Sequence, residues 1–238
     1  MTGRGVRKHI EDHRARSGNA LRAAVLGAND GLVSNLSLVM GVAGASLDRH
    51  AILITGLAGL IAGSCSMAMG EWVSVTSARE LLERELAVER REIALNPTEE
   101  RDELVTIYED KGLSHEHATA VADGVMTNPD AALDTHAREE LGIDPDDLGG
   151  SPWQAAGASF ALFCVGAIPP ILPYVFVGGA SAIVLSLVLS GIALFAIGAI
   201  ITRLTARSPL KSGVRQLVIG LAAAAVTYGV GAIIGTAV

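Results

Sequence analysis

Five apolar stretches, each longer than about 18 residues, constrain this chain more than any other feature of its sequence. They cover residues 24–47, 51–77, 153–176, 178–202 and 214–238. An apolar helix of about 20 residues is long enough to cross the hydrocarbon core of a bilayer. The sequence therefore predicts an all-α, polytopic membrane protein with five transmembrane helices.

The segment between the second and third apolar stretches has the opposite composition. From Glu80 to Leu148 it holds 20 of the 25 acidic residues and only 6 of the 18 basic residues. Apolar residues recur there every three to four positions, and the Asn-Pro pairs at 96–97 and 128–129 are typical helix starts. We therefore expect a cytosolic helical insert between helices 2 and 3. The predicted organisation is a basic cytosolic N-terminus at 1–20, helices 1 and 2 at 21–78, the insert at 79–150 and helices 3–5 at 151–238.

Basic residues predict the orientation, because loops on the cytosolic side of a membrane carry an excess of Lys and Arg. If the five stretches alternate, the N-terminus, the insert and the 203–215 loop hold 17 of the 18 bases, and the opposite side holds only Arg49. We expect the N-terminus and insert in the cytosol and the C-terminus outside. The first 20 residues have no apolar core of a signal peptide. The absence of a targeting segment favours a prokaryotic plasma membrane over a vacuolar membrane.

Asp30 is an ionisable residue inside the first apolar stretch. In a helix it would lie about 13 Å from Leu21, at about 1.5 Å per residue. A charged side chain at such a depth costs about 2.5–3.5 kcal/mol on insertion scales, so it should face protein, water or a cation. We therefore treat Asp30 as a candidate functional residue. The alternative is that it reaches the near interface or pairs with Arg22.

The second apolar stretch adds a second pair of candidate ligands. Met67 and Glu71 are four residues apart and share a helix face, so their thioether and carboxylate could bind one metal ion. Alone, the pair is more typical of a packed methionine and an interfacial glutamate. The spacings Gly27-xxx-Gly31 and Gly59-xxx-Gly63 predict close approach of helix backbones.

Three prolines, Pro169, Pro170 and Pro173, lie towards the end of the third stretch. Proline removes a backbone donor and clashes with the preceding helical turn. We therefore expect either a kinked helix or one that ends near Pro169. Gly178 and Gly179 predict a very short turn into the fourth helix.

Two Glu-x-x-Glu pairs distinguish the insert, Glu89/Glu92 and Glu100/Glu103. Residues three apart share a helix face, and antiparallel packing of the two helices would bring all four carboxylates together. Oxygen ligands of this kind suit Mn(II), Fe(II), Mg(II) and Ca(II). From composition alone, however, such a glutamate run is more typical of a solvated helix face.

Other candidate ligands follow later in the insert. Met126 offers a thioether, which favours softer transition metals, and Asp130 adds an oxygen one turn later. The spacing of His115 and His117 does not match a helical zinc motif, and we interpret these histidines, together with His136, as surface residues or secondary ligands. The acidic insert also argues against a nucleic-acid partner.

Three motifs in this order resemble the vacuolar iron transporter family, whose members carry iron and manganese. They are Gly27-Ala-Asn-Asp-Gly-Leu-Val-Ser34, Ser66-Met-Ala-Met-Gly-Glu-Trp-Val-Ser74 and His136-Ala-Arg-Glu-Glu-Leu-Gly142. The resemblance covers nearly the whole chain after residue 20. It implies a homodimer whose first transmembrane helices line an ion path, with Fe(II) exchanged for protons.

The resemblance also implies roles for individual residues. It places Asp30 and Met67 on the metal and proton path, with Asn29 and Glu71 beside them. The metal ligands of the insert that it implies are Glu89, Glu92, Glu100, Glu103, Met126 and Asp130. Because the family pattern has Glu where this chain has Asp130, Glu139 or Glu140 could replace that ligand.

We therefore expect a transporter, not an enzyme, that needs no prosthetic group. Its predicted activity is proton-coupled export of Fe(II) from the cytosol, with Mn(II), Zn(II) and Co(II) as further candidate substrates, for iron detoxification or storage. The alternative is a membrane-anchored metal sensor or iron store that binds metal without transport. Asp30 argues against this alternative, because an anchor does not need a carboxylate within the membrane.

Overall fold

A computed structural model describes residues 12–45, 48–205 and 208–237, with side chains from residue 26 onward except 203–205. The basic N-terminal side chains and Arg22 lie outside this description. Over the described residues the chain forms eight helices and no strand, which confirms the all-α prediction. The helices are α1 (Asp12–Ala45), α2 (Arg49–Leu95), α3 (Pro97–Asp110), α4 (His115–Met126), α5 (Pro129–Glu139), α6 (Pro152–Phe176), α7 (Gly179–Thr205) and α8 (Pro209–Ala237).

Four of the described helices, α2, α6, α7 and α8, are long and apolar enough to cross a membrane. The first predicted span lies in α1, which packs against α7 and α8. The chain divides into two units: Val73–Pro152 forms one, and the helices before and after it form the other, so that α2 contributes to both.

The three prolines lie inside α6, which continues to Phe176, so the alternative in which the helix ends near Pro169 is wrong. Polar side chains from other helices bind the carbonyl groups of this part of α6. Asn35 Nδ2 donates to Ala167 O at 2.8 Å, and Ser186 Oγ donates to Pro170 O at 2.7 Å. Arg49 Nε donates to Tyr174 O at 2.6 Å. Such partners allow a proline-containing helix to persist within a membrane.

α8 begins earlier than the sequence analysis predicts. The 203–215 segment was expected to be a loop, but α7 continues to Thr205 and α8 starts at Pro209. Ser208 followed by Pro209 matches the preference for a polar N-cap and proline at the first helical position. As a result, Lys211 and Arg215 lie on the first turns of α8.

Glycines allow α1 and α6 to approach closely. A Cβ atom added to Gly31 would lie 2.2 Å from the carbonyl oxygen of Phe163, and one added to Gly166 would lie 1.9 Å from the carbonyl oxygen of Ala28. In α2, a Cβ atom on Gly63 would lie 2.2 Å from the ring of Phe163. The close approach of backbones that the glycine spacings predict is therefore confirmed at Gly31, whereas Gly63 makes room for a side chain.

Replacing Gly166 with Ala should lower the melting temperature of the detergent-solubilised protein. The added methyl group would meet backbone, which cannot move aside without separating the helices, and overpacking of this kind costs about 1–3 kcal/mol. Gly157→Ala is the matched control on the same helix, because nothing lies within 4 Å of its added Cβ atom. Equal melting temperatures for the two variants would contradict the packing described here.

The unit formed by Val73–Pro152 is built from short helices with separate caps. Ser114 accepts a hydrogen bond from His117 N, and Asn128 accepts one from Asp130 N at 3.0 Å. Asn96, in the first of the two Asn-Pro pairs, makes no capping hydrogen bond through its side chain. Two small apolar clusters fill the unit, one around Leu104 and the other around Leu133.

Candidate functional site

A cluster of three glutamates and one histidine lies inside the Val73–Pro152 unit. We call it the carboxylate–histidine cluster, and its members are Glu89, Glu100, His136 and Glu140. They come from α2, α3, α5 and the residue after α5. One possible ligand atom from each member lies within 4.8 Å of those from all the others, so a single metal ion could contact all four.

His136 occupies the centre of this cluster and is fully buried. Its Nδ1 atom lies 3.2 Å from Glu89 Oε1, 3.3 Å from Glu140 Oε2 and 3.7 Å from Glu100 Oε2. Glu89 and Glu100 are only 3% and 8% exposed. Buried carboxylates are expensive unless they are paired or bind a cation.

Two atoms of the cluster have unused hydrogen-bonding capacity. His136 Nε2 is buried and has no hydrogen-bond partner among the described residues, and Glu89 Oε1, although 3.2 Å from His136 Nδ1, accepts no hydrogen bond from it, because that nitrogen is hydrogen-bonded to Glu140 Oε2. Such orphaned atoms are uncommon in native structures and are often explained by an ion or water. Three carboxylates and one imidazole form a donor set suited to Fe(II), Mn(II) and Zn(II). The residues therefore fit a divalent transition metal.

The electrostatics of the cluster agree with a cation site. Burial, followed by the charges of neighbouring glutamates, raises the pKa of Glu89 to about 7. Burial also raises the pKa of Glu100, although His136 acts in the opposite direction. When a cation binds to carboxyl groups of this kind, their protons are released to the solvent.

The structure brings together only some of the predicted ligands. Glu89 and Glu100 are in the cluster, whereas Glu92 and Glu103 are exposed and contribute their charge to the pKa of Glu89 from outside it. Met126 is half-buried and packs against both apolar clusters of the unit.

Glu140 takes the place that the sequence analysis left open among three acids. Asp130 is exposed in the first turn of α5, and Glu139 forms an ion pair with Lys111. Glu140, one turn after His136, points towards Glu89 and Glu100. The geometry therefore favours Glu140 over Asp130 and Glu139.

His136 is the member that sequence reasoning missed, because it was interpreted as a surface residue or secondary ligand. Ala132, Leu133 and Ala137 are also buried, so His136 lies within the apolar stripe of α5. A histidine in such a stripe, followed by glutamate four residues later, is a signal that the sequence contained.

A second candidate site lies in the apolar unit. A cavity of about 260 Å³, which we call the Asp30 cavity, is formed between α1, α2 and α6. Its lining residues are Asp30, Ser34, Asn35, Leu38, Gly59, Gly63, Ser66, Met67 and Phe163. The structure thus brings the predicted pair Asp30 and Met67 to one cavity, although they are on different helices.

The Asp30 cavity is lined by polar groups of the kinds that bind metal ions. Asp30 is exposed in the single chain, and its Oδ1 atom accepts a hydrogen bond of 2.9 Å from Ser34 Oγ. Asn35 is only 2% exposed, and its Oδ1 atom has no hydrogen-bond partner among the described residues. The carboxylate, the amide oxygen and the thioether of Met67 form a mixed donor set for a transition-metal ion.

Two other predicted path residues lie apart from the Asp30 cavity lining. Asn29 accepts a hydrogen bond from Gln216 on α8, so its side chain faces a different neighbour from Asp30. Glu71 is half-buried one turn beyond Met67 and is not among the lining residues. Asn35, six residues after Asn29, is the asparagine that lines the Asp30 cavity.

The comparisons with known proteins all match the same kind of protein. A model of the VIT family matches residues 21–232. Vacuolar iron transporter 1 of Oryza sativa subsp. japonica is 32% identical over 225 residues, covering 93% of this chain and 88% of that protein. Vacuolar iron transporter of Acanthamoeba castellanii is 37% identical over 228 residues, covering 93% and 82%. Vacuolar iron transporter homolog 2.1 of Arabidopsis thaliana is 37% identical over 218 residues, covering 91% and 82%. These relatives are named as transporters, which confirms the prediction that the chain is not an enzyme.

Proposed function

This chain belongs to the VIT family, and we propose that it is a metal/proton antiporter that exports Fe(II) from the cytosol. The observation that carries the proposal is Asp30, a carboxylate that faces the Asp30 cavity together with Met67 inside otherwise apolar helices. Relatives named as iron transporters support Fe(II) as the substrate. Mn(II), Zn(II) and Co(II) suit the same donors and are further candidates.

The path through the membrane would be formed by two copies of the chain. Asp30 is exposed in the single chain although it lies in an apolar part of α1. A lipid-facing carboxylate is costly, and a partner copy placed over it would remove it from hydrocarbon. We include α1 as the fifth transmembrane helix. Its apolar residues Leu32, Leu36 and Val39 are fully buried, so α1 packs among the other helices of the apolar unit.

Proton coupling follows from competition for the same carboxylate. A metal ion and a proton cannot both occupy the Asp30 oxygens, so release of metal outside would leave Asp30 free to accept a proton. The neutral side chain would return across the membrane more easily than the charged one. Glu71, one turn beyond Met67, is a second carboxylate for this proton step.

The carboxylate–histidine cluster would capture metal from the cytosol. Glu89, Glu100, His136 and Glu140 offer a preformed donor set, and Glu92, Glu103, Met126 and Asp130 remain candidate ligands at its edge. The insert and N-terminus would be cytosolic, with the C-terminus outside, as the distribution of basic residues indicates. A prokaryotic plasma membrane remains a prediction, because the relatives named above are vacuolar.

Uptake into proteoliposomes with a pH-sensitive dye inside tests the proposal. We expect Fe(II) and Mn(II) entry to be accompanied by proton exit, with Mg(II) excluded by the thioether-containing site. Flux without a pH change would reject the antiport mechanism. Metal binding without flux would instead favour the alternative function, a membrane-anchored metal sensor or store.

Metal affinity of the insert should increase with pH. Because Glu89 has a pKa of about 7, it holds a proton at pH 6 that the metal must displace, whereas at pH 8 it is already ionised. For this one group the apparent Mn(II) affinity should rise about tenfold between these pH values. Isothermal titration calorimetry in the Asp30→Ala background measures the insert separately from the Asp30 cavity.

The same titration, repeated in buffers with different ionisation enthalpies, measures how many protons are released when the metal binds. About one proton should be released for each Mn(II) bound near pH 6, and far fewer at pH 8. An affinity that does not change between pH 6 and 8 would contradict the displacement of a proton from Glu89 by the metal.

A further inference from the structure

The last part of the chain carries positive charge without any acidic residue to balance it. No Asp or Glu follows Asp147 in the sequence, whereas Arg203, Arg207, Lys211 and Arg215 occur at intervals of four residues. Like charges four residues apart on a helix destabilise it. The described pair, Lys211 and Arg215, forms no ion pair with any residue in the described part of the chain. An external anion would offset this repulsion.

The residues of the first two turns of α8 form a pocket around these charges. A cavity of about 350 Å³ is lined by Ser208, Lys211, Ser212 and Arg215. These residues are spaced i, i+3, i+4 and i+7, so they share one face of the helix, which we call the α8 basic face. Two cations and two hydroxyl groups on one face are complementary to a phosphate group.

Ser212 is a second observation that points to a ligand in this pocket. It is only 6% exposed and lines the cavity, yet its hydroxyl group has no hydrogen-bond partner among the described residues. Serine hydroxyls within helices usually bond a carbonyl of the preceding turn, as Thr227 does here with Ala223 O at 3.1 Å. The first backbone N–H groups of α8 lie at the same end and are not used within the helix. Helix N-termini of this kind bind phosphate and other anions.

We propose that Ser208, Lys211, Ser212 and Arg215 bind a phosphate group, and that this phosphate is the headgroup of an anionic phospholipid. The assignment to a lipid rests on the residues beside the α8 basic face. Leu210, Val214 and Val218 are 65%, 46% and 60% exposed and continue along α8 at intervals of four residues. Acyl chains would cover this apolar row while the headgroup contacts the basic side chains.

The location agrees with this ligand. The α8 basic face lies at the end of an apolar helix, where headgroups of a bilayer are found. The distribution of basic residues predicts that this end faces the cytosol, and the cytoplasmic leaflet carries the anionic lipids. The bound lipid would fix the start of α8, and with it the packing of α8 against α1.

Binding of phosphatidylglycerol to the full-length protein in neutral detergent tests this site, with native mass spectrometry as the readout. The double variant Lys211→Gln/Arg215→Gln should weaken binding by about tenfold or more, since each basic residue near an anionic surface contributes severalfold. Ser212→Ala should weaken it by about threefold, as expected for one hydrogen bond. Phosphatidylcholine, whose headgroup has no net charge, should bind more weakly than phosphatidylglycerol to the wild type.

The matched control is Arg90→Gln/Arg91→Gln, which removes the same charge from exposed positions of the insert. It should leave phosphatidylglycerol binding unchanged. An equal loss in both double variants would overturn the site in favour of a diffuse charge effect, and no loss in either would overturn it outright. A competition with inorganic phosphate separates the two sources of the ligand: displacement of the lipid by millimolar phosphate would overturn the lipid assignment in favour of a free phosphate ion.

Discussion

Replacing Asp30 with Ala should reduce Fe(II) and Mn(II) uptake into proteoliposomes to the level of protein-free vesicles. Asp30 is the acidic residue among those lining the Asp30 cavity, so without it neither the metal nor the returning proton has a charged partner there. Both the metal flux and the opposing proton flux should be lost together. The measurement is the initial rate of metal entry, with internal pH followed in the same vesicles.

The variant Asp30→Asn distinguishes the charge of Asp30 from its shape. Asparagine retains an oxygen that can accept the hydrogen bond from Ser34 Oγ, which is 2.9 Å long in the wild type. We expect this variant to fold normally and still not to transport. Wild-type flux in Asp30→Asn would reject Asp30 as the coupling residue. Size-exclusion chromatography shows whether Asp30→Ala loses transport only because it fails to fold.

The apolar unit was largely predictable from the sequence because its signals are local. Runs of about 20 apolar residues give helices regardless of their neighbours, since lipid cannot satisfy the backbone. Helical periodicity also places Ser34 and Leu38 on the same side of α1 as Asp30. Periodicity does not tell which other helix faces that side of α1. The structure was needed to show that Asn35 donates to the backbone of α6 and that Asn29 instead faces Gln216.

The insert was less predictable because its site is assembled from three helices. Glu-x-x-Glu spacing places the two members of each pair about 60° apart around the helix, close enough to share a face, but the packing of this unit buries only one member of each pair. Glu89 and Glu100 are therefore buried while Glu92 and Glu103 are exposed. The way α5 packs in this unit brings His136 and Glu140 to Glu89 and Glu100, and no local pattern encodes that packing.

The double variant Glu89→Gln/Glu100→Gln should lose at least about 100-fold in Mn(II) affinity at the insert. Loss of a residue that merely supports a ligand costs about 10–100-fold, and the proposed function makes both of these buried residues ligands of the same ion. Calorimetry of the full-length protein in the Asp30→Ala background gives this affinity. Glu80→Gln/Glu99→Gln is the control, because it removes the same charge from exposed positions on the same two helices.

A third double variant, Glu92→Gln/Glu103→Gln, separates the two sets of predicted ligands. If the buried carboxylate–histidine cluster holds the metal, this exposed pair should change the affinity far less than Glu89→Gln/Glu100→Gln. An equal loss of affinity in both double variants would mean that the exposed glutamates also bind the metal. An equal loss in the Glu80→Gln/Glu99→Gln control would mean that the affinity depends only on the overall charge of the insert.

The double variant Glu89→Gln/Glu100→Gln should make the metal-free protein more stable, although it weakens metal binding. Folding raises the pKa of Glu89 from 4.5 to about 7, so the unfolded chain releases this proton more readily and metal-free stability falls as the pH rises through that window. Glutamine carries no charge to bury. The metal-free Glu89→Gln/Glu100→Gln protein should therefore melt at a higher temperature than the wild type at pH 8, and the difference should shrink at pH 5. A lower melting temperature at pH 8 would mean that the glutamates stabilise the fold, whereas the expected increase would show that they are kept for binding a cation.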